Sequence, residues 1–369
     1  MRQPARGTRA ALASALFGLG VVAALANAGC SSQDTGACSG GSCTTTTTGS
    51  GDAGLGGSGG SGGHAGQGGT GGWVDVDSGP PPFTPGHVFI AGSRNAEVFE
   101  YDSSLALVTR WTNDGFGTIN EQPPGQDLQL GPAGMAFDAS GYLVVAARDE
   151  FCVFKGPNDV LACHPKTQAE PTENIIFDLD GNLYTTTATG GTDHVQKYDS
   201  SYTPVTTFSL PTSQLTGVTC DPDGNLFVAS QTGATSIIYK VDKTDFTVLD
   251  QIPIDGTVEG LQLAQNGNIL VGLDAGMGIV EVHASSPTVV VNTIANAELT
   301  WAVPVTTDND GNIYTADYEN GSGTAFADMF VFDPTGGVIA ARLPSEVLGP
   351  FGMVVGGAVL PCGAYQPPR

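Results

Sequence analysis

The chain has 369 residues, 40% of them hydrophobic and 14% charged, and its 13 basic against 37 acidic side chains give a formal charge of −24. Phosphate binding needs a basic footprint, so this balance excludes nucleic acid and anionic membrane surfaces as partners. It leaves two uses for the acidity: solubility outside the cell, or attraction of cations and cationic ligands.

Residues 1–29 read as a signal peptide, because Arg2, Arg6 and Arg9 precede an apolar run, Ala10–Ala26, that carries no charge. Such a leader directs export and is not a spanning helix. Two processing sites overlap at its end. Ala26-Asn27-Ala28 is a small-x-small sequence of the kind an ordinary leader peptidase cuts, whereas Asn27-Ala28-Gly29-Cys30-Ser31-Ser32 resembles a bacterial lipobox, departing from it at Asn27, where Leu is usual. The lipobox implies that Cys30 is acylated and that the chain is anchored to the bacterial cell envelope, at the outer membrane. The other site implies secretion. Several acyl chains on one Cys would hold stably where a single chain binds reversibly.

Residues 30–85 turn to Gly, Ser and Thr, with Thr44–Thr48, a Gly-rich run from Gly49 to Gly72 and Pro80-Pro81-Pro82 at the end. Nothing in that composition buries a core, so a disordered tether is expected. His64 lies in it with no Cys or second His at ligand spacing, which leaves it an incidental polar residue.

From residue 86 to 362 the chain repeats. Leu215–Ser230 reads as a β-hairpin whose two β-prone runs flank Asp223-Gly224, a pair that suits a tight primed turn. The same signal returns around Gly181, Gly267 and Gly311, and more loosely around Gly141, so these turn glycines stand 40, 43, 43 and 44 residues apart. An interval of roughly 40–45 residues built from four short strands is that of a β-propeller blade. Gly86–Ala91 aligns with the second strand of a repeat, and the missing first strand reappears as Phe351–Val355. The fold expected is therefore an all-β, six-bladed propeller in which the C-terminal strand closes the N-terminal blade and removes an open sheet edge. Residues 363–369 form a short tail.

The repeat unit, Gly-apolar-x-apolar-Asp-x-Asp-Gly-Asn-Leu-aromatic followed by a strand ending in Tyr-Asp or Phe-Asp, resembles NHL-type propellers and the related gluconolactonase (senescence-marker) propellers over about residues 86–360. Such propellers host hydrolases, lyases and pure binding domains, so function must be read from a site. Propeller topology puts the starts of the innermost strands and the ends of the second strands on one face. Its ligand-facing candidates are Arg148, Asp149, Glu173, Asn174, Glu259, Asp274, Trp301, Asp317 and Tyr318, with Phe351 beside them. The insertion Asn113–Gly131 and the loop Glu319–Ala325 belong to the same face, and long connections of this kind are commonly functional.

Two functions follow. The first is a binding or scaffold domain outside the cell or at its surface, monomeric, for a protein, small-molecule or carbohydrate ligand. The alternative, implied by the resemblance, is a metal-dependent lactonase holding Ca²⁺ or Mg²⁺ on carboxylate and amide oxygens. Asn174 and Asp317 resemble that family's Asn and Asp ligands, and Glu173 or Glu259 stands in for its Glu, since Phe351-Gly352 offers no carboxylate. The Asp-x-Asp-Gly-Asn turns lack the Glu that completes a calcium loop, and turn chemistry accounts for them. His87, His164, His194 and His283 fall in different repeats and no Gly-x-Ser-x-Gly elbow exists, which speaks against a Ser-His-Asp hydrolase.

Exported cysteines should be mostly oxidised. Cys152 and Cys163 lie within one blade and suit a staple between its outer strands, and Cys38 and Cys43 suit a small loop in the tether. Cys220 takes an inner-strand position held elsewhere by Phe137, Phe177 and Leu263, and is expected to be a buried thiol, with Cys362 too far across the ring to pair with it.

Overall fold

The computed structural model describes residues 83–358, apart from 117–130, 167–171, 188–192, 212–213, 222, 275–277, 284–285, 297, 319–325 and 344. Cys30, Cys38, Cys43 and Cys362, the signal peptide, the tether up to residue 82, most of the 113–131 insertion and the 319–325 loop therefore lie outside the described residues, as does the side chain of Glu173.

Blade 1 comprises β1 (Val88–Gly92), β2 (Glu97–Tyr101) and β3 (Leu107–Trp111), and blade 2 comprises β4 (Met135–Phe137), β5 (Leu143–Ala146), β6 (Glu150–Gly156) and β7 (Asp159–Pro165). Blade 3 follows with β8 (Thr172–Phe177), β9 (Leu183–Thr187), β10 (Val195–Tyr198) and β11 (Pro204–Phe208), and blade 4 with β12 (Leu215–Cys220), β13 (Leu226–Thr232), β14 (Thr235–Val241) and β15 (Val248–Asp255). Blade 5 holds β16 (Val258–Leu263), β17 (Ile269–Leu273), β18 (Ile279–His283) and β19 (Ser286–Ile294); blade 6 holds β20 (Ala302–Thr307), β21 (Ile313–Asp317), β22 (Met329–Phe332) and β23 (Val338–Arg342). The last strand, β24 (Pro350–Val355), pairs antiparallel with β1, Met353 opposite Ile90, to give six four-stranded sheets. The C-terminal strand thus supplies the innermost strand of blade 1, and the protein is a six-bladed β-propeller.

The repeated turns are built differently from the primed turn that the sequence suggests. At Asp178, the Gly181 N–H donates to the Asp178 carbonyl and only Gly181 takes a positive φ, 78°. Asp178 Oδ1 accepts the N–H groups of Asp180 and Asn182, while Oδ2 accepts Asn182 Nδ2 and the Tyr184 hydroxyl. That side-chain cap holds the residues before the glycine in ordinary turn geometry, so Asp180 has no need of positive φ. Asp308 repeats the arrangement with Asp310, Asn312 and Tyr314. All the oxygens of these leading aspartates are engaged in turn bonds.

The inner strands meet around the channel at a common position, three residues before their ends, where Gly134, Gly217, Gly260 and Gly352 stand. A Cβ at Gly260 would fall 2.1 Å from the Val303 carbonyl oxygen, and one at Gly352 would fall 2.0 Å from that of Ala133. Close approach of neighbouring backbones therefore requires glycine at 260 and 352, whereas blades 3 and 6 have Asn174 and Pro304 at the same position. The pairing register slips next to this position, between Val258 and Gly260 and between Leu215 and Gly217, as a bulge does where a strand must bend.

Hydrophobic clusters fill the gaps between blades. Phe89, Trp111 and Phe137 pack with Phe83 between blades 1 and 2, and Val88, Ile90, Met329 and Met353 pack where blade 6 meets blade 1. Cys152 and Cys163 form a disulfide between β6 and β7, with sulfurs 2.07 Å apart. Cys220 departs from expectation: it is disulfide-bonded, not a thiol. Its partner lies outside the described residues, since Cys152 and Cys163 pair with each other. Among the described residues, no helix is long and apolar enough to cross a membrane.

Candidate binding site

We call the face where the inner strands begin the upper one; the turn glycines are on the lower. The inner strand enters its sheet immediately after a loop, and the second strand ends beside it, so residues from both are fixed against each other on the upper face. In blade 6 the fixing group is Asp317, wholly buried at the end of β21. Its Oδ2 accepts the N–H and hydroxyl of Thr300, at 2.7 and 2.8 Å, and its Oδ1 accepts the Trp301 N–H at 3.0 Å. Tyr318 adds a backbone bond from its N–H to the Trp301 carbonyl. Asp274 does the same in blade 5, accepting the Thr257 N–H at 3.0 Å and donating its own N–H to the Thr257 carbonyl. Both aspartates hold the entry loops of inner strands in place.

The loop that Asp317 fixes presents aromatic rings. The Trp301 and Tyr318 ring centroids are 4.8 Å apart, and Tyr318 meets Phe351 of β24 edge-on at 5.2 Å. Arg94, in the β1–β2 connection, lies over the Tyr318 ring with its guanidinium carbon 5.1 Å from the centroid and donates Nη2 to the Tyr318 hydroxyl at 3.0 Å. Such an arrangement draws on both the ring quadrupole and the hydroxyl. Tyr318 is buried, whereas Trp301 and Phe351 keep part of their surface in solvent.

Beside Trp301 stands the half-buried Glu259 of β16. Burial pushes its carboxyl up to about 7; the Trp301 indole N–H opposes this, and the charge of Asp274 reinforces it. The indole nitrogen is buried and makes no well-formed hydrogen bond, so it only partly satisfies the carboxylate. Glu259, Trp301, Tyr318, Phe351 and Arg94 form a crescent across blades 5, 6 and 1.

The remaining candidates are placed differently. Arg148 Nε and Asp149 Oδ1 are 3.9 Å apart in the exposed β5–β6 connection, a surface pair outside the crescent's contacts. Asn174 lines a channel cavity of about 70 Å³ together with Gln262, Met135, Ile176 and Val305, room for a few waters. Glu173 lies in β8 beside it. The four metal candidates thus divide, with Glu173 and Asn174 in β8, the latter lining the channel, Glu259 beside Trp301, and Asp317 engaged with Thr300 and Trp301. Glu150, Cys152 and Cys163 also lie close together, but the two sulfurs are bonded to each other and are not thiolate ligands. Arg94 carries no mark in the sequence beyond its place in the short connection between the strands β1 and β2, which ring closure brings beside Tyr318.

No protein-family model matches the chain, and no curated protein matches it. Solved structures do. A protein of unknown function from Bacteroides caccae is 12% identical with a TM-score of 0.56, covering 73% of this chain and 98% of its own. A chain of a nidogen/laminin complex is 14% identical with a TM-score of 0.55, over 74% of this chain and 99% of its own. A luciferin-regenerating enzyme is 14% identical with a TM-score of 0.51, over 75% of this chain and 92% of its own. At these identities the likeness is one of fold, shared by proteins of different functions.

Proposed function

We propose that this propeller is an exported binding domain, tethered to the bacterial envelope, whose upper mouth takes a small-molecule, carbohydrate or protein ligand without converting it. The observation that carries the reading is the crescent of Trp301, Tyr318 and Phe351 beside the half-satisfied carboxylate of Glu259. Partly exposed aromatic side chains such as Trp301 and Phe351 next to a few fixed polar groups are the usual make-up of a ligand site. The lower face, by contrast, carries turns whose aspartates are consumed by their own backbone. Trp301→Ala and Glu259→Ala should each abolish capture of the ligand, while Asn182→Ala on the lower face leaves it intact. Capture that survives both upper-face changes would place the functional surface elsewhere.

The lipobox-like Ala28-Gly29-Cys30 favours anchoring by an acylated Cys30. Cys30→Ser should move the protein from the membrane fraction to the periplasm or medium, and unchanged fractionation would remove the anchor. A second reading, a Ca²⁺- or Mg²⁺-dependent lactonase, is favoured by Asn174 at the channel and by Asp317 at the end of its Tyr-x-x-Asp strand. A bound divalent ion by elemental analysis, together with chelator-sensitive lactone hydrolysis, would establish it over the binding reading.

A further inference from the structure

Blade 5 departs from its neighbours on the lower face. Its turn begins with Ala264, where blades 2, 3, 4 and 6 have Asp138, Asp178, Asp221 and Asp308, each capping its own turn. The carboxylate comes instead from the third strand: Glu281 of β18 accepts Asn266 Nδ2 at 2.7 Å and Asn268 Nδ2 at 2.6 Å, both on Oε1. Glu281 stands opposite Leu270, as Glu100 stands opposite Phe89 in blade 1 and Lys240 opposite Phe227 in blade 4. In those two blades the buried acid meets a nitrogen base, Glu100 with His87 at 2.6 Å and Asp221 with Lys240 at 2.7 Å. Glu281 is as buried, 6% exposed, yet among the described residues its bonds are to neutral amides alone and none falls on Oε2.

Glu281 lines a cleft of about 390 Å³ between blades 5 and 6, a volume in the range of small-molecule sites. Shorter side chains on both walls open it. On the blade 5 wall, Ala264 and Leu270 replace a pair such as Asp178 and Tyr184 of blade 3, which bond to each other. On the blade 6 wall, Thr307 takes the inner-strand position of Phe137, Phe177 and Leu263. Thr307 pairs with Ile313 and so shares the face of its sheet that packs towards Ala264 and Leu270. It is 3% exposed and its hydroxyl has no hydrogen-bond partner, a rare condition for a buried polar group and one that a ligand would relieve. Gln265 Nε2 donates to Asn309 Oδ1 at 3.2 Å and ties together the two turns at the rim. Asp310 adds a second acid there, and no Lys or Arg lines the cleft.

We propose that this cleft is a second ligand site, for a small organic ammonium, with Glu281 as counter-ion, the Thr307 hydroxyl as a further polar contact and Leu270, Ile313 and Pro334 as apolar walls. It lies apart from the upper mouth and does not depend on the reading of that face. A carboxylate drawn out of water attracts a cation more strongly than one in water, and a charged donor makes the stronger hydrogen bond. The two acids and the missing basic side chain exclude an anion. A divalent metal is the poorer occupant, because it wants six or more oxygens, whereas half of the Glu281 carboxylate is spent on amides and much of the wall is apolar. The formal charge of −24 further concentrates cations around the molecule.

The test is calorimetric titration of the purified full chain, at neutral pH, with cyclohexylmethylammonium chloride, its neutral isostere cyclohexylmethanol and calcium chloride. The ammonium should bind about tenfold or more tightly than the alcohol. Glu281→Gln should erase that preference. Thr307→Leu, which gives blade 6 the residue that blade 5 carries as Leu263, should fill the cleft and abolish binding of both organic probes. Glu100→Gln, at the matching position of blade 1, should change neither. The wild-type comparison of ammonium with alcohol keeps the test decisive if Glu281→Gln folds poorly. No ammonium binding below about 10 mM, equal binding of ammonium and alcohol, or calcium that displaces the ammonium overturns the proposal. So does an ammonium preference that survives both Glu281→Gln and Thr307→Leu, which would put the amine elsewhere on the molecule.

Discussion

At the scale of single residues, the balance of each carboxylate decides what it contributes. Asp317 and Asp274 have bonds to accept and so act as fasteners, but Glu259 has a pKa raised to about 7 by burial from an ordinary 4.5. The folded chain therefore holds a proton there that the unfolded chain has released between those values, so stability falls as pH rises through that window. Each unit of pKa is worth about 1.4 kcal/mol, which sets the cost of ionised Glu259 at up to about 3 kcal/mol. Glu259→Gln is expected to be neutral near pH 4.5 and to stabilise by about 1–3 kcal/mol near pH 8, as read from urea unfolding at both pH values. A variant less stable than wild type at the higher pH would mean that Glu259 has a partner within its own fold. None of this is legible in the sequence, where Glu259, Asp274 and Asp317 are equivalent acids on one face; only packing separates a clamped carboxylate from a poorly satisfied one.

At the scale of elements, the hairpin interval and the orphaned first strand of blade 1 are legible because they depend on spacing along the chain, which the fold preserves. The turn type is not, because the Asp side chain that caps the turn competes with the geometry that Asp-Gly alone suggests. The glycine heading the repeat is visible at Gly134, Gly217, Gly260 and Gly352, but its cause is contact between neighbouring blades, remote in sequence. That cause differs in severity from blade to blade. Gly260→Ala places a methyl 2.1 Å from the Val303 carbonyl oxygen, so backbone must move, at a cost of about 2–3 kcal/mol or more. Gly217→Ala meets nothing nearer than the Leu261 side chain and backbone at 3.4 Å and should change stability by less than about 1 kcal/mol. Paired thermal melts of the two variants measure this, and equal destabilisation would show that the waist is not held by backbone contact.

At the scale of the whole molecule, ring closure both completes the fold and builds the site. β24 hydrogen-bonds to β1, Met353 and Val355 join the cluster between blades 6 and 1, and Ser93 and Arg94 donate backbone N–H groups to Gly349 and Leu348 just ahead of β24. Through those bonds the β1–β2 connection, near the start of the domain, reaches Tyr318 near its end. This is why Arg94 is invisible when the repeats are taken in order along the chain, while Trp301, Tyr318 and Phe351 are not. The same dependence gives a test of the architecture. Deleting residues 349–369 removes β24, bares the edge of β1 and opens a cluster containing Val88 and Ile90, so an unpaired apolar edge strand faces solvent. The truncated chain should aggregate or lose cooperative unfolding, and Tyr318 should lose both Phe351 and the fixed position of Arg94, so the upper mouth fails with the fold. Deleting residues 363–369 alone spares β24 and should melt like the full chain. Circular dichroism melts and light scattering on the two truncations decide the matter: a chain lacking β24 that still unfolds cooperatively at the full-length temperature would mean that blade 1 is stable without its innermost strand.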